Sequence, residues 1–220
     1  TSTIQELVDS GELDGWDDPR APTIMSLRRR GIRGEAIVNA MIELGTSTSN
    51  VDLAMSAIYA ENRKFVDDSA DRRFFVRDGV EKPLIGGPDT AEPPIHPDHE
   101  DRGTRSIPVG GRVLVESDDI PPNGKRVWLK GYGPVRHTRN AFEFTGEDID
   151  IVREEDVDVV HWVPADGNVS VRLRTMDGDE TGHAEPGLAA YQSDDIVQFE
   201  RVGFARMDRH DDEETVAYFS

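Results

Sequence analysis

The stretch RRFFVRDG, residues 72–79, marks a change of pattern in the chain. From about Phe74 onward, short runs rich in β-branched and aromatic residues alternate with Gly, Pro, Asn and Asp, as is typical of strands joined by turns. Short strands with little helix between them predict antiparallel barrels or a sandwich. We predict ten strands, at residues 74–76, 105–109, 112–116, 126–130, 141–145, 149–152, 157–163, 169–175, 196–203 and 215–219.

The residues before this stretch have helical spacing instead. Thr3 and Glu6 fit a capping box, and apolar residues recur on one face of the segment 34–44. We predict four helices that form a small bundle, opening near Thr3, Thr23, Gly34 and finally Ser49 or Asn50. The proline-rich segment 86–102 predicts a long loop, and no internal repeat is evident in the sequence.

The chain of 220 residues is strongly acidic, with 25 Lys and Arg against 44 Asp and Glu and a formal net charge of −19. By itself this charge argues against binding a polyanion. Only four of the basic residues are lysine, and the acidic residues are spread along the whole chain. This pattern is typical of adaptation to a salty cytoplasm, where ions screen self-repulsion. The charge therefore indicates the habitat, and function has to be sought in local exceptions.

Several classes of protein are disfavoured by composition. The sequence has no cysteine, which excludes disulfides and thiolate metal sites. No apolar run is long enough for a membrane span, and no secretory pattern opens the chain, so we expect a cytoplasmic protein that does not bind membranes. The first residue is Thr1 rather than Met, which suggests a fragment of a longer protein.

The main local exception is GWDDPRAPTIMSLRRRG, residues 15–31, which contains three consecutive arginines. Cations at a helix C-terminus stabilise the helix through its dipole, by about 0.3–1 kcal/mol each. On charge pattern alone, this ordinary explanation and a phosphate-binding role are equally plausible. The choice between them depends on the wider sequence.

Residues 15–31 resemble the segment that follows the ATP-binding lysine loop in class I glutamyl- and glutaminyl-tRNA synthetases. The resemblance continues in order along the chain and weakens at about residues 131–156. It is carried by Ala60–Phe65, by Arg73–Val76, by His96-Pro97 followed by Gly103–Pro108, by Val160–Val163 and by Val197–Phe204. Five ordered matches make a coincidence improbable.

The resemblance implies an α+β, mainly β fold in which residues 1–72 form a helical stem-contact domain. Residues 73–220 would then form two antiparallel anticodon-binding β-barrels. The family's two ATP-site signatures are absent, so the chain is expected to hold tRNA without catalysis and to need no cofactor of its own. ATP and magnesium would belong to the full-length parent, whose Rossmann domain is missing here.

The implied partners are this missing N-terminal catalytic domain and a tRNA. Because the acidic composition suggests an archaeal source, we prefer glutamate tRNA, with glutamine isoacceptors as a further possibility. A glutaminyl-tRNA synthetase is the alternative parent. The alternative from another class is a protein-interaction module whose arginines pair internally. A ribosomal-RNA-binding barrel would leave residues 15–31 unexplained.

The resemblance also implies roles for individual residues. By motif, Arg105, Gln198 and Arg201 match positions that line pockets for anticodon bases. A guanidinium offers paired donors, and an amide offers a donor and an acceptor to a base edge. The alternative for Arg105 and Arg201 is that they are ordinary outward-facing strand residues.

A second basic cluster lies farther along the chain. Arg136 and Arg139 are predicted anticodon contacts, and Arg126 and Lys130 are predicted contacts of the tRNA backbone. Trp128 is interleaved with them, so stacking on a base is chemically possible. A tryptophan on an alternating strand is more often part of the core.

Arg28, Arg29, Arg30 and Arg33 complete the predicted backbone contacts, because the resemblance places them against the inside of the tRNA. The alternative is that some of them pair with the acidic residues of segment 17–18 and stabilise the turn.

A metal site is a weaker reading of the segment around His96. His96, Asp98, His99 and Asp101 carry suitable ligand atoms, but prolines interrupt their spacing and the family resemblance already accounts for His96. We therefore predict no metal site. The carboxylates Glu154, Glu155 and Asp156 are predicted to be solvated surface, since no nucleophile or phosphate loop accompanies them.

Overall fold

The computed structural model describes residues 2–45, 54–146, 157–211 and 213–220. In this part of the chain four helices precede the strands, as predicted. They are α1 (Ser2–Asp9), α2 (Ile24–Arg29), α3 (Gly34–Leu44) and α4 (Met55–Val66). The predicted start of the fourth helix at Ser49 or Asn50 lies outside the described residues.

Local chemistry explains where two of these helices begin and end. The Thr23 side chain accepts a hydrogen bond from the Ser26 amide at 3.0 Å, so Thr23 caps α2 as predicted. Gly31, just beyond its end, has a φ of +81° that favours glycine. Thr3, in contrast, lies inside α1 rather than capping it, because the helix already includes Ser2.

The rest of the described chain is mainly β-structure. The strands are β1 (Asp71–Arg73), β2 (Phe75–Arg77), β3 (Val80–Ile85), β4 (Thr90–Ala91), β5 (Ile107–Pro108), β6 (Arg112–Val115), β7 (Arg126–Leu129), β8 (Gly133–Thr138), β9 (Ala141–Phe144), β10 (Val159–Val160), β11 (Val163–Pro164), β12 (Val169–Arg174), β13 (Asp179–Ala184), β14 (Ile196–Phe199), β15 (Gly203–His210) and β16 (Thr215–Phe219). Short 3₁₀ helices lie at Glu100–Arg102, Ser117–Asp119 and Pro186–Ala190.

Two seven-stranded sheets account for most of these strands. The first has the order β10-β7-β8-β9-β3-β6-β11, and the second has the order β1-β14-β15-β16-β12-β13-β2. Each sheet is barrel-like, because its two edge strands are consecutive pieces of one chain segment. We call these sheets the first barrel and the second barrel.

The segment 71–77 shows how the second barrel is brought together. Its first half, β1, runs parallel to β14, and its second half, β2, runs antiparallel to β13. Phe74, between the two halves, is fully buried. Residues 159–164 do the same for the first barrel, pairing with β7 and then with β6. The second barrel therefore begins in the chain before the first one does.

The two barrels are structural repeats, although the sequence shows no repeat. Strand for strand, the two sheet orders carry the same parallel and antiparallel pairings. Gly133 and Gly203, which open β8 and β15, have φ values of +138° and +145°. At the preceding turn, Gly131 at φ +72° corresponds to Arg201 at φ +67°. The turn conformation is kept while the residue type changes.

The sequence predictions miss several strands. Residues 196–203 were predicted as one strand, but they form β14 and a turn that Arg201 enters with a positive φ. The strands β1, β3, β8 and β13 were not predicted, and β15 was predicted only at its first residue. Within the predicted loop 86–102, the structure places β4 and a 3₁₀ helix. The predicted strand 149–152 lies outside the described residues.

Each barrel has its own apolar core. The first is built around the fully buried residues Phe142 and Trp162, and the second around Phe199, Leu173 and Met207. A smaller cluster, which includes Ala36, Ala40 and Ile58, packs α3 against α4. No helix in the described ranges is long and apolar enough to cross a membrane.

Candidate nucleic-acid interface

Arg105 lies at the junction of the two barrels in a buried ion cluster. Its side chain is 7% exposed, and its Nε donates hydrogen bonds to both carboxylate oxygens of Glu185, at 2.8 and 3.1 Å. Glu185 also accepts from Arg73 Nη1 at 3.0 Å and from the Phe74 amide at 3.1 Å. The Arg105 guanidinium stacks over the Phe74 ring, 4.6 Å from its centroid. Arg105 is therefore not the outward-facing strand residue of the alternative reading.

One donor of Arg105 is left over. Its Nη2 is buried and makes no hydrogen bond within the described part of the chain, and Oε1 of Glu200 lies 3.7 Å away, within ion-pair distance. The Nδ1 atom of His161, in the same cluster, is also buried without a hydrogen-bond partner there. Buried polar atoms are rarely left unpaired, because each costs about 1–3 kcal/mol. This pair of atoms therefore calls for an explanation.

Glu200 connects the two barrels. It follows β14 of the second barrel and pairs with Lys130, which follows β7 of the first barrel, and with Nε2 of His161 at 3.1 Å. Burial alone would raise the pKa of the Glu200 carboxyl group, but hydrogen bonds from His161 and Lys130, together with the Lys130 charge, lower this pKa to about 2. Lys130, a predicted contact of the tRNA backbone, is thus engaged with protein.

This lowered pKa predicts how stability depends on pH. Because the folded state prefers the ionised carboxylate, its contribution to stability should be complete above pH ~4.5, the ordinary pKa of a glutamate, and should be lost as the pH falls toward 2. Urea unfolding of the protein and of Glu200→Gln across this range would measure the effect. The stability difference between them should shrink with acidification; a constant difference would contradict the prediction.

Gln198 and Arg201 lie beside this cluster. Gln198 and Glu200 are two residues apart, so they share the outer side of β14, and Gln198 is half-buried with no side-chain partner among the described residues. Arg201 is exposed in the turn and is paired with Asp119 of the first barrel, its Nη2 lying 3.0 Å from Oδ1. The structure thus places Arg105, Gln198 and Arg201 around one junction.

The arginines of residues 28–33 divide into two kinds. Arg28 and Arg33 are exposed and have no side-chain partner within the described ranges. Arg29 pairs with Asp17 at 2.6 Å and with Asp208 of β15 at 3.2 Å, so the alternative of a structural pair is confirmed for this residue.

Arg30 is only 1% exposed. It donates to the carbonyl oxygen of Phe219 at 2.9 Å and to the Tyr59 hydroxyl. The prediction that Arg30 contacts the tRNA backbone is therefore replaced by a packing role, since a phosphate could be reached only if the side chain left these buried partners.

The basic cluster of the first barrel lies on its outer surface. Arg126, Trp128 and Lys130 alternate with buried residues along β7, and Arg136 stands opposite Arg126 in β8. Trp128 is half-buried and is not part of the first barrel's core cluster, so it is not the core residue that strand statistics favour. Arg139 is exposed in the β8–β9 turn, where its amide donates to Asn123 Oδ1 at 2.5 Å.

The segment around His96 is structural. His96 is 2% exposed; its Nε2 donates to the Asp67 carbonyl at 3.0 Å, and its Nδ1 accepts from the Asp98 amide at 3.1 Å. Among the described residues no group of three or more potential ligands could hold a metal ion. Glu154, Glu155 and Asp156 lie outside the described residues.

Sequence reasoning missed the residues that organise the junction. Glu185 carries no local signal, because its partner Arg105 is far away in the sequence. Glu200, in contrast, lies inside the motif Val197–Phe204 that contains Gln198. Residues two apart in a strand face the same side, so the position of Glu200 could have identified it as a residue of the same site.

Known proteins of one family are similar in sequence to this chain. Residues 70–153 match a family model described as tRNA synthetases class I (E and Q), anti-codon binding domain, and residues 159–208 match a second model of the same description. The two matched ranges contain Arg105 and Gln198. The chain belongs to the class I glutamyl and glutaminyl tRNA synthetase family and contains its anticodon-binding domains.

Within this family the similar curated proteins favour the glutamyl branch. The chain is 73% identical to the glutamate–tRNA ligase of Natronomonas pharaonis and 65% identical to that of Haloarcula marismortui, and each match covers 100% of the chain. The glutamate–tRNA ligase of Methanosarcina barkeri is 40% identical. The chain spans 38–39% of the length of these three relatives. The halophilic relatives agree with the salt-adapted composition.

Proposed function

We propose that this chain is the tRNA-holding part of a glutamate–tRNA ligase and that it reads the anticodon at the junction of the two barrels. The observation that carries the proposal is that Gln198, whose side chain has no partner among the described residues, lies beside the junction that holds Nη2 of Arg105, a buried donor with no hydrogen-bond partner in that same part of the chain. A site built to bind a base keeps such donors prepared in advance.

The chemistry of the junction suits an unpaired base. The Arg105 guanidinium is held flat on Phe74 by Glu185, which fixes the direction of its remaining donor. Because this donor is covered in the free protein, a base reaches it only when the side chains over it move aside. Gln198 can offer both a donor and an acceptor to the same base edge. A base without the matching groups would leave these atoms unpaired, which is how such sites discriminate.

Other cations are proposed to position the tRNA without reading its sequence. Arg28 and Arg33 are exposed and without side-chain partners among the described residues, which fits contact with phosphates. Arg126 and Arg139 of the first barrel, with Arg136 beside them, would extend this contact, and Arg201 would add to it if its pair with Asp119 opens. This set omits Arg29, Arg30 and Lys130, whose partners are protein groups.

The whole enzyme's activity is part of the proposal. The relatives' names describe ligation of glutamate to tRNA. We propose that this chain presents glutamate tRNA, with glutamine isoacceptors as an alternative ligand, to a catalytic domain that uses ATP and magnesium in the cytoplasm. Residues 1–72 would serve as the stem-contact domain and residues 73–220 as the anticodon-binding region. Alone, the chain is expected to be inactive.

Gln198→Ala provides the test. We expect the protein to prefer the anticodon stem-loop of glutamate tRNA over a loop with altered anticodon bases, and the variant to lose this preference. Loss of a base-edge hydrogen bond of about 1–3 kcal/mol corresponds to a 5- to 150-fold weaker affinity for the native loop. Fluorescence anisotropy in molar KCl measures both affinities.

Gln192→Ala is the matched control, because Gln192 is an exposed glutamine a few residues upstream of β14. It should bind both loops as the unsubstituted protein does. Equal binding of both loops by the unsubstituted protein, or no binding of either, would contradict the proposal and favour a protein-interaction module.

A further inference from the structure

The repeat relation between the barrels points to a second place where RNA can bind. When the two strand orders are aligned, β7 is equivalent to β14. Each of them runs parallel to a short edge strand, β10 or β1, and antiparallel to the strand on its other side, β8 or β15. In this relation Trp128 corresponds to Gln198, and Lys130 corresponds to Glu200. The residue proposed to read a base in the second barrel thus has a tryptophan as its counterpart in the first.

The two equivalent positions face one junction. Lys130 and Glu200 pair directly with each other, so equivalent corners of the two barrels meet there. Trp128 and Gln198 each lie two residues before these paired side chains, about 7 Å back along their strands, on the same outer side. An unpaired strand that crosses the junction at Gln198 could therefore continue over the outer side of the first barrel toward Trp128.

The surroundings of Trp128 suit a base and its phosphate. Trp128 is half-buried, and its neighbour in β10, Val159, is 48% exposed, so part of this strip is an accessible apolar surface. Arg136 lies on the outer side of β8, one row away from Trp128, and has no side-chain partner in the described part of the chain. Aromatic rings beside cations are how proteins hold single-stranded nucleic acid.

We propose that Trp128 is a stacking platform for an unpaired RNA base next to the one read at Gln198, and that Arg136 holds the accompanying phosphate. The inference rests on the proposed function, because it takes the ligand to be the anticodon loop. Stacking reads no base edge, so this position tolerates different bases whereas the Gln198 position does not.

The test compares Trp128→Ala and Trp128→Phe with Trp16→Phe, which replaces another half-buried tryptophan in the helical part of the chain. Base–aromatic stacking of about 1–3 kcal/mol corresponds to a 5- to 150-fold weaker affinity of Trp128→Ala for the anticodon stem-loop. Trp128→Phe should retain most of the affinity. Circular dichroism establishes that each variant is folded.

Tryptophan fluorescence gives a readout that a merely structural role would not change. Binding of the stem-loop should quench the emission of the unsubstituted protein and of Trp16→Phe, and most of this quenching should be lost in Trp128→Phe, where only Trp16 and the buried Trp162 remain. Affinity of Trp128→Ala within about twofold of the unsubstituted protein, or quenching in Trp128→Phe as large as in the unsubstituted protein, would overturn the inference. If Gln198→Ala still loses its anticodon preference in that case, the proposed function stands; if the unsubstituted protein itself does not bind the loop, both fail.

Discussion

Glu185→Gln is expected to lower the free energy of unfolding by about 3–5 kcal/mol, the range found when one partner of a buried ion pair is removed. The Glu185 side chain is 1% exposed and holds the guanidinium groups of Arg73 and Arg105. Glutamine keeps the shape of the side chain but removes its charge, and its NH₂ group faces at least one of the two cations. Two buried positive charges then lose the counter-ion they share, and only the longer pairs with Asp71, 3.3 Å from Arg73, and with Glu200, 3.7 Å from Arg105, remain.

The measurement is urea or thermal unfolding of the variant in molar KCl. Glu180→Gln is the matched control, since Glu180 also pairs with an arginine, Arg77, at 3.3 Å, but both side chains are about 40% exposed. Such an exposed pair contributes at most about 1 kcal/mol. If Glu185→Gln destabilises the protein no more than Glu180→Gln does, Glu185 is not the anchor of the junction. A folded Glu185→Gln should also bind the anticodon loop less selectively, because Arg105 loses its fixed position.

In the arginine-rich segment, the sequence pattern predicts local structure but not long-range contacts. The start of α2 near Thr23 is a local feature, and it was predicted correctly. Arg30 could not be assigned in the same way, because its partner is the carbonyl oxygen of Phe219, near the other end of the chain. The charge pattern in the sequence is the same for an arginine that is a buried hydrogen-bond donor and for one that is an exposed cation.

The contacts of this segment also explain why an acidic protein keeps three arginines together there. Arg29 pairs with Asp208 of β15, and Arg206 Nη1 donates to the Arg29 carbonyl oxygen at 2.9 Å. Arg30 reaches the end of β16. Part of this positive charge therefore attaches α2 to the second barrel, and Arg28 remains exposed.

The candidate site was predicted unevenly for a similar reason. Gln198 and Arg201 came from a motif of contiguous residues, and the structure places both beside the junction. The burial of Arg105 was not predicted, because it depends on Glu185, whose carboxylate arrives from the other barrel. Long-range ion pairs leave no periodic signal in either partner's neighbourhood, whereas strands and helix caps do.

The repeat was hidden because backbone conformation was kept without residue identity. Gly124 and Asp194, at equivalent turns, have φ values of +87° and +76°. Asn and Asp tolerate this region better than most residues, so an aspartate can replace a glycine there. The outer positions diverge still more, as Trp128 and Gln198 show, while Gly133 and Gly203 are the same in both barrels.

Gly203→Ala is expected to destabilise the second barrel by several kcal/mol. Its φ of +145° is a conformation that side chains rarely adopt, and a Cβ atom there would lie 2.7 Å from Cε2 of the Phe219 ring. Phe219 packs against the core of this barrel and cannot move away without opening a cavity. The repeat relation extends the prediction to Gly133→Ala, whose Cβ would lie 2.8 Å from the Phe144 ring.

Gly178→Ala separates backbone strain from the steric clash. Gly178 has a φ of +132°, close to that of the other two glycines, but a Cβ atom there meets nothing within 4 Å. It should therefore show only the cost of the backbone conformation, about 1–3 kcal/mol, and thermal unfolding should rank it clearly above Gly203→Ala and Gly133→Ala. Three equal losses would mean that the aromatic rings yield to the new methyl group. A larger loss for Gly203→Ala alone would mean that the two barrels, despite their shared topology, do not use the Gly–Phe contact in the same way.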